Sequence, residues 1–325
     1  MSRIMERQMR LGDSEKEKLR VLLRQMAAFC GVEVLTYAIM GNHFHLLVEV
    51  PKAQELGDEE LLARLDILYD REYVKEIRER LAEYRKQGAD KAAEQLKRRY
   101  TYRMYDVSQF MKTFKQKFTQ WYNRKHGRRG TLWEERFKSI LLEPKRLERK
   151  GGKWDNALLT MAMYIELNAV RAGLVADPKD YRYCGYGEAV GGGELARKGL
   201  MRLFSGYGQD GAAWRRIAAL YRRQLFARGE KATKTQPAVF SAEQTKKVLD
   251  EGGELSRHDL LRCRVRYFTD GVVLGSREFV ESVFARHRDL FGPKRRTGAR
   301  KLRHGDWGGL CTVRDLRLAA VSVPV

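Results

Sequence analysis

No run of eighteen or more apolar residues occurs in this 325-residue sequence, so nothing in it reads as a membrane-spanning helix. The opening Met1-Ser2-Arg3-Ile4-Met5-Glu6-Arg7 also lacks the apolar stretch of a secretory signal, and a soluble protein of the cytosol with no membrane partner is expected. Cysteine is scarce and scattered. Cys30, Cys184, Cys263 and Cys311 show no Cys-x-x-Cys spacing, which argues against both a disulfide framework and a zinc-thiolate site. Acidic residues are in deficit: 64 lysines and arginines against 42 carboxylates leave a formal charge of +22. A folded chain tolerates that self-repulsion best when a polyanion offsets it, which makes nucleic acid the natural partner, although basic composition alone also fits a membrane surface or the ribosome.

The apolar spacing of Leu19, Leu22, Leu23, Met26 and Ala27 predicts a helix over 14–29, with Ser14 able to cap it and Gly31 to stop it. Val32 to Met40 and His43 to Val50 are β-rich runs joined by Gly41-Asn42, the composition of a tight two-residue hairpin. Residues 53–105 turn charged and helix-favouring, and read as a helical insertion. An amphipathic helix follows from about Val107 to Lys125, with Phe110, Met111, Phe114, Phe118, Trp121 and Tyr122 on one side and Lys112, Lys115, Lys117 and Arg124 on the other. Leu132 to Glu143 reads as extended chain. A last helix is expected from a cap at Asp155 to Gly173. The first unit is placed at 1–193 and a second, basic and helical, at 194–325, with helices over Ser256 to Arg264 and Ser276 to Leu290.

Side chains alternate across a strand, so His43 and His45 share one face while Phe44 points into the opposite layer. Two imidazoles two residues apart on a rigid strand can chelate one divalent ion, and a third ligand must then come from elsewhere. On the helix ending at Gly173, Tyr164, Asn168 and Arg171 fall at spacings of four and three, on one stripe; Leu158, Ala162, Ile165, Ala169 and Ala172 form another that would pack on the sheet edge. Asn168 can offer a carbonyl oxygen to a cation, Arg171 can hold a phosphate, and Tyr164 offers a phenolic oxygen for attack on phosphorus. Taken alone, the same residues also fit two surface histidines and a helix tyrosine whose ring packs with its hydroxyl in water.

Three blocks in order carry a resemblance. They are Tyr37-Ala38-Ile39-Met40-Gly41-Asn42-His43-Phe44-His45-Leu46-Leu47-Val48; then Asn123-Arg124-Lys125-His126-Gly127 with Gly130-Thr131-Leu132-Trp133 and Arg136-Phe137-Lys138; then Tyr164-Ile165-Glu166-Leu167-Asn168-Ala169-Val170-Arg171-Ala172-Gly173-Leu174-Val175. Together these resemble the REP-associated tyrosine transposases, within the single-tyrosine, His-hydrophobe-His (HUH) group, over roughly 15–52 and 106–190. The resemblance implies an α+β fold, a ferredoxin-like antiparallel sheet with packed helices, whose first strand would fall on Arg3 to Met9. It implies Mg2+ or Mn2+ held by His43, His45 and Asn168. It also implies a metal-dependent nuclease and strand-transferase acting on single-stranded or hairpin DNA, as monomer or homodimer, through a 5′-phosphotyrosine on Tyr164. Ala169 stands where the family usually has proline, and 53–105 is longer than the usual connection.

Further DNA contacts are expected from Arg124, Lys125, Arg128 and Arg129 beside Trp121, Tyr122 and Trp133, a phosphate-and-stacking surface of the kind single strands need, and from Lys115, Arg171, Arg182, Lys294, Arg295 and Arg296. Two other readings stay open: a non-catalytic DNA- or RNA-binding protein on the same fold, and a replication or conjugation nicking enzyme, for which no helicase or second-tyrosine motif is visible.

Overall fold

The computed structural model describes residues 1–148, 156–208, 210–226, 255–316 and 320–322, with 243, 246, 247 and 250. The chain is α+β. A three-stranded antiparallel sheet of order β1-β3-β2 holds β1 (Ser2–Arg3), β2 (Glu33–Ile39) and β3 (His43–Glu49). The hairpin closes over two residues, with Met40 N donating to His43 O at 2.8 Å, as the Gly41-Asn42 composition predicts. A register shift between Val34 and Thr36 kinks β2.

The first strand is shorter than the Arg3 to Met9 expected. Glu6 and Arg7 both take φ near +56°, turning the chain away from the sheet. It then runs across the hairpin tip, where Leu11 N donates to Gly41 O at 2.9 Å and Ile4 N to Asn42 O at 2.8 Å.

Helix α1 (Asp13–Cys30) starts from Gly12 rather than Ser14, because the Ser14 hydroxyl is taken by Glu15 and Lys125. Gly31 ends it at φ 65°, a left-handed turn that suits glycine. The insertion is helical as expected: α2 (Asp58–Leu65), α3 (Arg71–Lys86) and α4 (Asp90–Thr101). Helix α5 (Val107–Lys125) has the predicted bounds, with the Asp106 carboxylate accepting from Gln109 N at 2.8 Å. Phe44 meets Phe114 of α5 at 5.5 Å and Trp133 at 5.4 Å between ring centroids, so one face of the sheet is closed by α5 and by α1 packed beside it.

The other face takes α6 (Ala157–Glu166), which Asn156 caps by accepting from Leu159 N at 2.8 Å; Asp155, expected as the cap, lies outside the described residues. The single helix expected to Gly173 breaks at Leu167 and resumes as α7 (Asn168–Arg171). At the free edge of β2, Ile39 N donates to Tyr183 O at 2.9 Å. Helices α8 (Gly185–Val190) and α9 (Glu194–Met201) pack beside it, followed by α10 (Gly211–Phe226).

The C-terminal region departs from the helical unit expected. It does hold α11 (Arg257–Arg262), α12 (Tyr267–Asp270) and α13 (Arg277–Arg286), with Ser256 and Ser276 capping the first and last. It is also built on a four-stranded sheet of order β4-β8-β10-β9, from Leu141–Leu142, Val273–Gly275, Cys311–Thr312 and Arg300–Lys301. Two short pairs complete the topology: β5 (Leu147–Glu148) with β6 (Phe204–Ser205), and β7 (Arg264–Val265) with β11 (Val321–Ser322). Strand β4 comes from the stretch after α5 read as extended, and it pairs in parallel with β8. The main apolar core runs from Ile4 to Val321 through both regions, and a second cluster of Val273, Val280, Val283, Ala299, Cys311 and Val313 joins α13 to the four-stranded sheet. Among the described residues no helix is long and apolar enough to cross a membrane.

Candidate functional site

The strand periodicity of β3 places His43 and His45 side by side, with ring centroids 5.2 Å apart. The sheet face opposite Phe44 is where α6 docks, and it brings Tyr164 to His45 with ring centroids 6.4 Å apart and rings nearly perpendicular. Histidine pair and tyrosine therefore meet from elements more than a hundred residues apart.

Both imidazoles are kept neutral. Burial pushes the His43 pKa down to about 3, helped by the positive charges of Arg3, Arg171 and Arg264. His45 is lowered well below the ordinary range, again by burial first. A neutral ring is the form that ligates a cation. The His43 tautomer is also fixed. Asn42 Nδ2 donates to Arg7 O at 2.8 Å, which turns its Oδ1 toward His43 Nδ1 at 2.6 Å. Because an amide oxygen only accepts, Nδ1 carries the proton and Nε2 keeps its lone pair for an ion.

Among the described residues no cluster of three or more histidines, cysteines and carboxylates forms. Asn168 has the right chemistry: its amide nitrogen is tied back to Ile165 O at 3.3 Å, and its carbonyl oxygen makes no hydrogen bond among the described residues. Neutral imidazole and amide oxygen are donor types that suit a divalent ion with open positions for phosphate and water.

Tyr164 is only 3% exposed. Phe268 of α12 lies against its ring at 4.7 Å, and the Arg171 guanidinium sits 3.9 Å from the ring centroid on another side. The phenolic hydroxyl makes no hydrogen bond among the described residues. Arg171, expected to hold a phosphate, donates to Leu261 O at 2.7 Å and to Tyr164 O at 2.8 Å, and so locks α11 onto the tyrosine helix. Arg257 reinforces that docking by donating to Thr160 Oγ1 at 2.7 Å. The two-stripe reading of the helix is corrected accordingly: every residue of α6 is buried, between the sheet on one side and α11 and α12 on the other.

The remaining predicted contacts divide by whether the protein already uses them. Arg124 and Arg129 are exposed with no ion pair among the described residues, and so are Lys294 and Arg296. Lys125 is committed to Glu15 at 2.6 Å, Arg182 to Glu17 at 3.1 Å, and Arg128 lies over the Tyr122 ring at 5.9 Å. Lys115 donates to Glu135 O at 2.7 Å, and burial lowers its pKa to about 8. Arg295 serves the fold, donating to Thr297 O at 3.0 Å and Gly298 O at 2.7 Å while stacking on Phe291 at 4.9 Å.

Sequence reasoning missed Asn42, read only as a turn residue, and Arg3, Arg264 and Phe268, which reach the site from separate elements. The side-chain chemistry of Asn42 next to a histidine was the one signal available. Comparison with protein-family models, curated proteins and solved structures finds no match for this chain.

Proposed function

We propose that this chain cuts single-stranded DNA at hairpin or palindromic sequences and rejoins strands, with Tyr164 as nucleophile and Mg2+ or Mn2+ held by His43, His45 and Asn168. The observation that carries this reading is the meeting of Tyr164 with His45, ring centroids 6.4 Å apart, beside a second neutral imidazole of fixed tautomer. The ferredoxin-like arrangement implied by the resemblance belongs to the same reading. It is supported by the antiparallel β1-β3-β2 sheet with helices on both faces. A DNA partner is supported by the charge of +22 and by Arg124, Arg129, Lys294 and Arg296 standing exposed.

The phenolic oxygen of Tyr164 attacks the scissile phosphorus, and the bond to the 3′-oxygen breaks. The phenol loses its proton and the departing strand leaves as a 3′-hydroxyl, which leaves the 5′-phosphate on the tyrosine. A 3′-hydroxyl then reverses the step, conserving the phosphodiester without ATP. A bound ion would neutralise charge on the phosphate and favour loss of the phenolic proton during attack. Asn42 orients His43, and Arg171 fixes the Tyr164 ring between α6 and α11.

A second reading, a DNA-binding protein that does not turn over, is favoured by Phe268 covering the tyrosine. Incubation with hairpin DNA and Mn2+, followed by a denaturing gel, decides between them. A covalent adduct is expected from the wild-type chain and none from Tyr164→Phe. DNA binding without any adduct across varied hairpins selects the second reading, and an adduct surviving in Tyr164→Phe removes that residue from the role.

A further inference from the structure

Helices α1 and α5 pack on each other on the Phe44 side of the sheet, across it from His43 and His45. Lys18, Leu22 and Gln25 form one stripe along α1, and Lys117, Trp121 and Arg124 form another along α5, each at steps of four and three. The turn after α2 closes the end with Ile67 and Leu68, and the result is an open groove of about 280 Å3 with Gln120 on its rim.

The charged groups of this groove carry no ion pair, the Lys117 ammonium lying over the Tyr69 ring at 5.7 Å from its centroid. Several cations elsewhere on these helices and on the 53–105 stretch are paired: Arg20 with Glu17 and Glu188, Arg24 with Glu188, Lys125 with Glu15, Lys97 with Asp58. Lys18, Lys117 and Arg124 form no ion pair or hydrogen bond among the described residues, nor do the amides of Gln25 and Gln120, and no carboxylate lines the groove. The Lys18 ammonium lies 6.0 Å from the Trp121 ring centroid, so positive charge and a half-exposed indole face share one space. Its volume falls short of the ~300–1,000 Å3 typical of enclosed small-molecule pockets. Open and small, it suits one planar ring with its phosphate rather than a whole cofactor.

We propose that this groove binds one nucleotide unit of a DNA single strand, its base on Trp121 and its phosphate among Lys18, Lys117 and Arg124. The insertion, through Ile67 and Leu68, builds the wall that makes the groove. Only the identity of the strand rests on the functional reading above; the binding itself is independent of Tyr164.

The test uses the full chain, without divalent metal, and fluorescence anisotropy of a short labelled oligothymidylate against a backbone of the same length made of abasic units. Wild type is expected to prefer the strand with bases. Trp121→Ala should reduce that preference at least about fivefold, while Trp121→Phe, which keeps a π face, should retain most of it. Lys117→Gln should weaken both strands alike and make the salt dependence shallower by about 0.7 in log–log slope. An unchanged preference in Trp121→Ala overturns the proposal, and so does equal loss in the Ala and Phe variants, which marks a packing role. Displacement of the strand by dTMP at matched nucleotide concentration overturns the strand as occupant. A missing covalent adduct with intact base preference defeats the catalytic reading alone.

Discussion

Glu166, the last residue of α6, is buried behind the site with two donors on its carboxyl, Thr36 Oγ1 and, at 3.0 Å, Tyr186 N. Burial nevertheless pushes its pKa up to about 7, against those bonds and with Glu188 adding to the rise. A carboxyl whose folded pKa lies above its unfolded one stabilises the fold fully below the unfolded value, ~4.3, and that stability is lost as pH rises through the folded value. The two buried histidines work in the opposite direction, losing stability as pH falls below ~6.5, so the comparison must be made between variants. Glu166→Gln can keep both bonds, accepting from Tyr186 N and donating to Thr36, without a charge to bury. Its stability relative to wild type is expected to rise between pH 5 and pH 8, by a gain on the order of 2–3 kcal/mol at the upper end. Urea titrations at the two pH values check this, and a pH-independent difference would show that the carboxyl stays ionised in the fold. Residue chemistry of this kind was only partly legible in the sequence. His43 and His45 were, because strand alternation decides which side chains share a face. The fate of Arg171 was not: its chemistry was read as able to hold a phosphate, but the carbonyl it serves belongs to Leu261, ninety residues downstream.

Elements were legible where a local rule sets them. Periodicity gave α5 its bounds, and Gly41-Asn42 gave the hairpin; the Asp106 cap emerges only in the fold. Helix α6 shows where local rules stop, since its second face is covered by α11 and α12, whose arrival no spacing within 155–173 could announce. Docking of α9 on β2 is of the same kind. Gly199 lies so close to the kinked strand that an added Cβ would stand 2.3 Å from Val34 O and 2.7 Å from Leu35 O. Those are backbone atoms of the strand that leads into the histidine hairpin, and they have no rotamer by which to yield. Gly199→Ala should therefore lift α9 from β2 and cost about 1–3 kcal/mol, even though alanine is the better helix former by roughly 1 kcal/mol. Chemical denaturation measures the balance, and a neutral or stabilised variant would mean that the helix slides without penalty.

At the scale of the molecule, composition marked a change of character near 193, and the packing runs across that point. Strand β4 precedes it and pairs with β8 beyond it; β5 pairs with β6 in the same way. Arg171 and Thr160 are held by Leu261 and Arg257, and Phe268 covers Tyr164. Residues 1–193 on their own would leave β4 and β5 unpaired and the outer face of α6 bare, an apolar surface that includes Tyr164. The full chain is accordingly expected to lose near- and far-ultraviolet dichroism in one coincident urea transition, and the 1–193 fragment to show helix content without a cooperative near-ultraviolet transition while binding a hydrophobic dye. Two separate transitions in the full chain, with the earlier fragment-like one matching isolated 1–193, would instead make the first region a self-sufficient unit. The outcome bears on chemistry as well as folding. If the regions unfold together, access to Tyr164 has to come from a local shift of Phe268 and α12 rather than from detachment of the C-terminal region, and Phe268→Ala becomes the variant expected to open the Tyr164 ring to solvent.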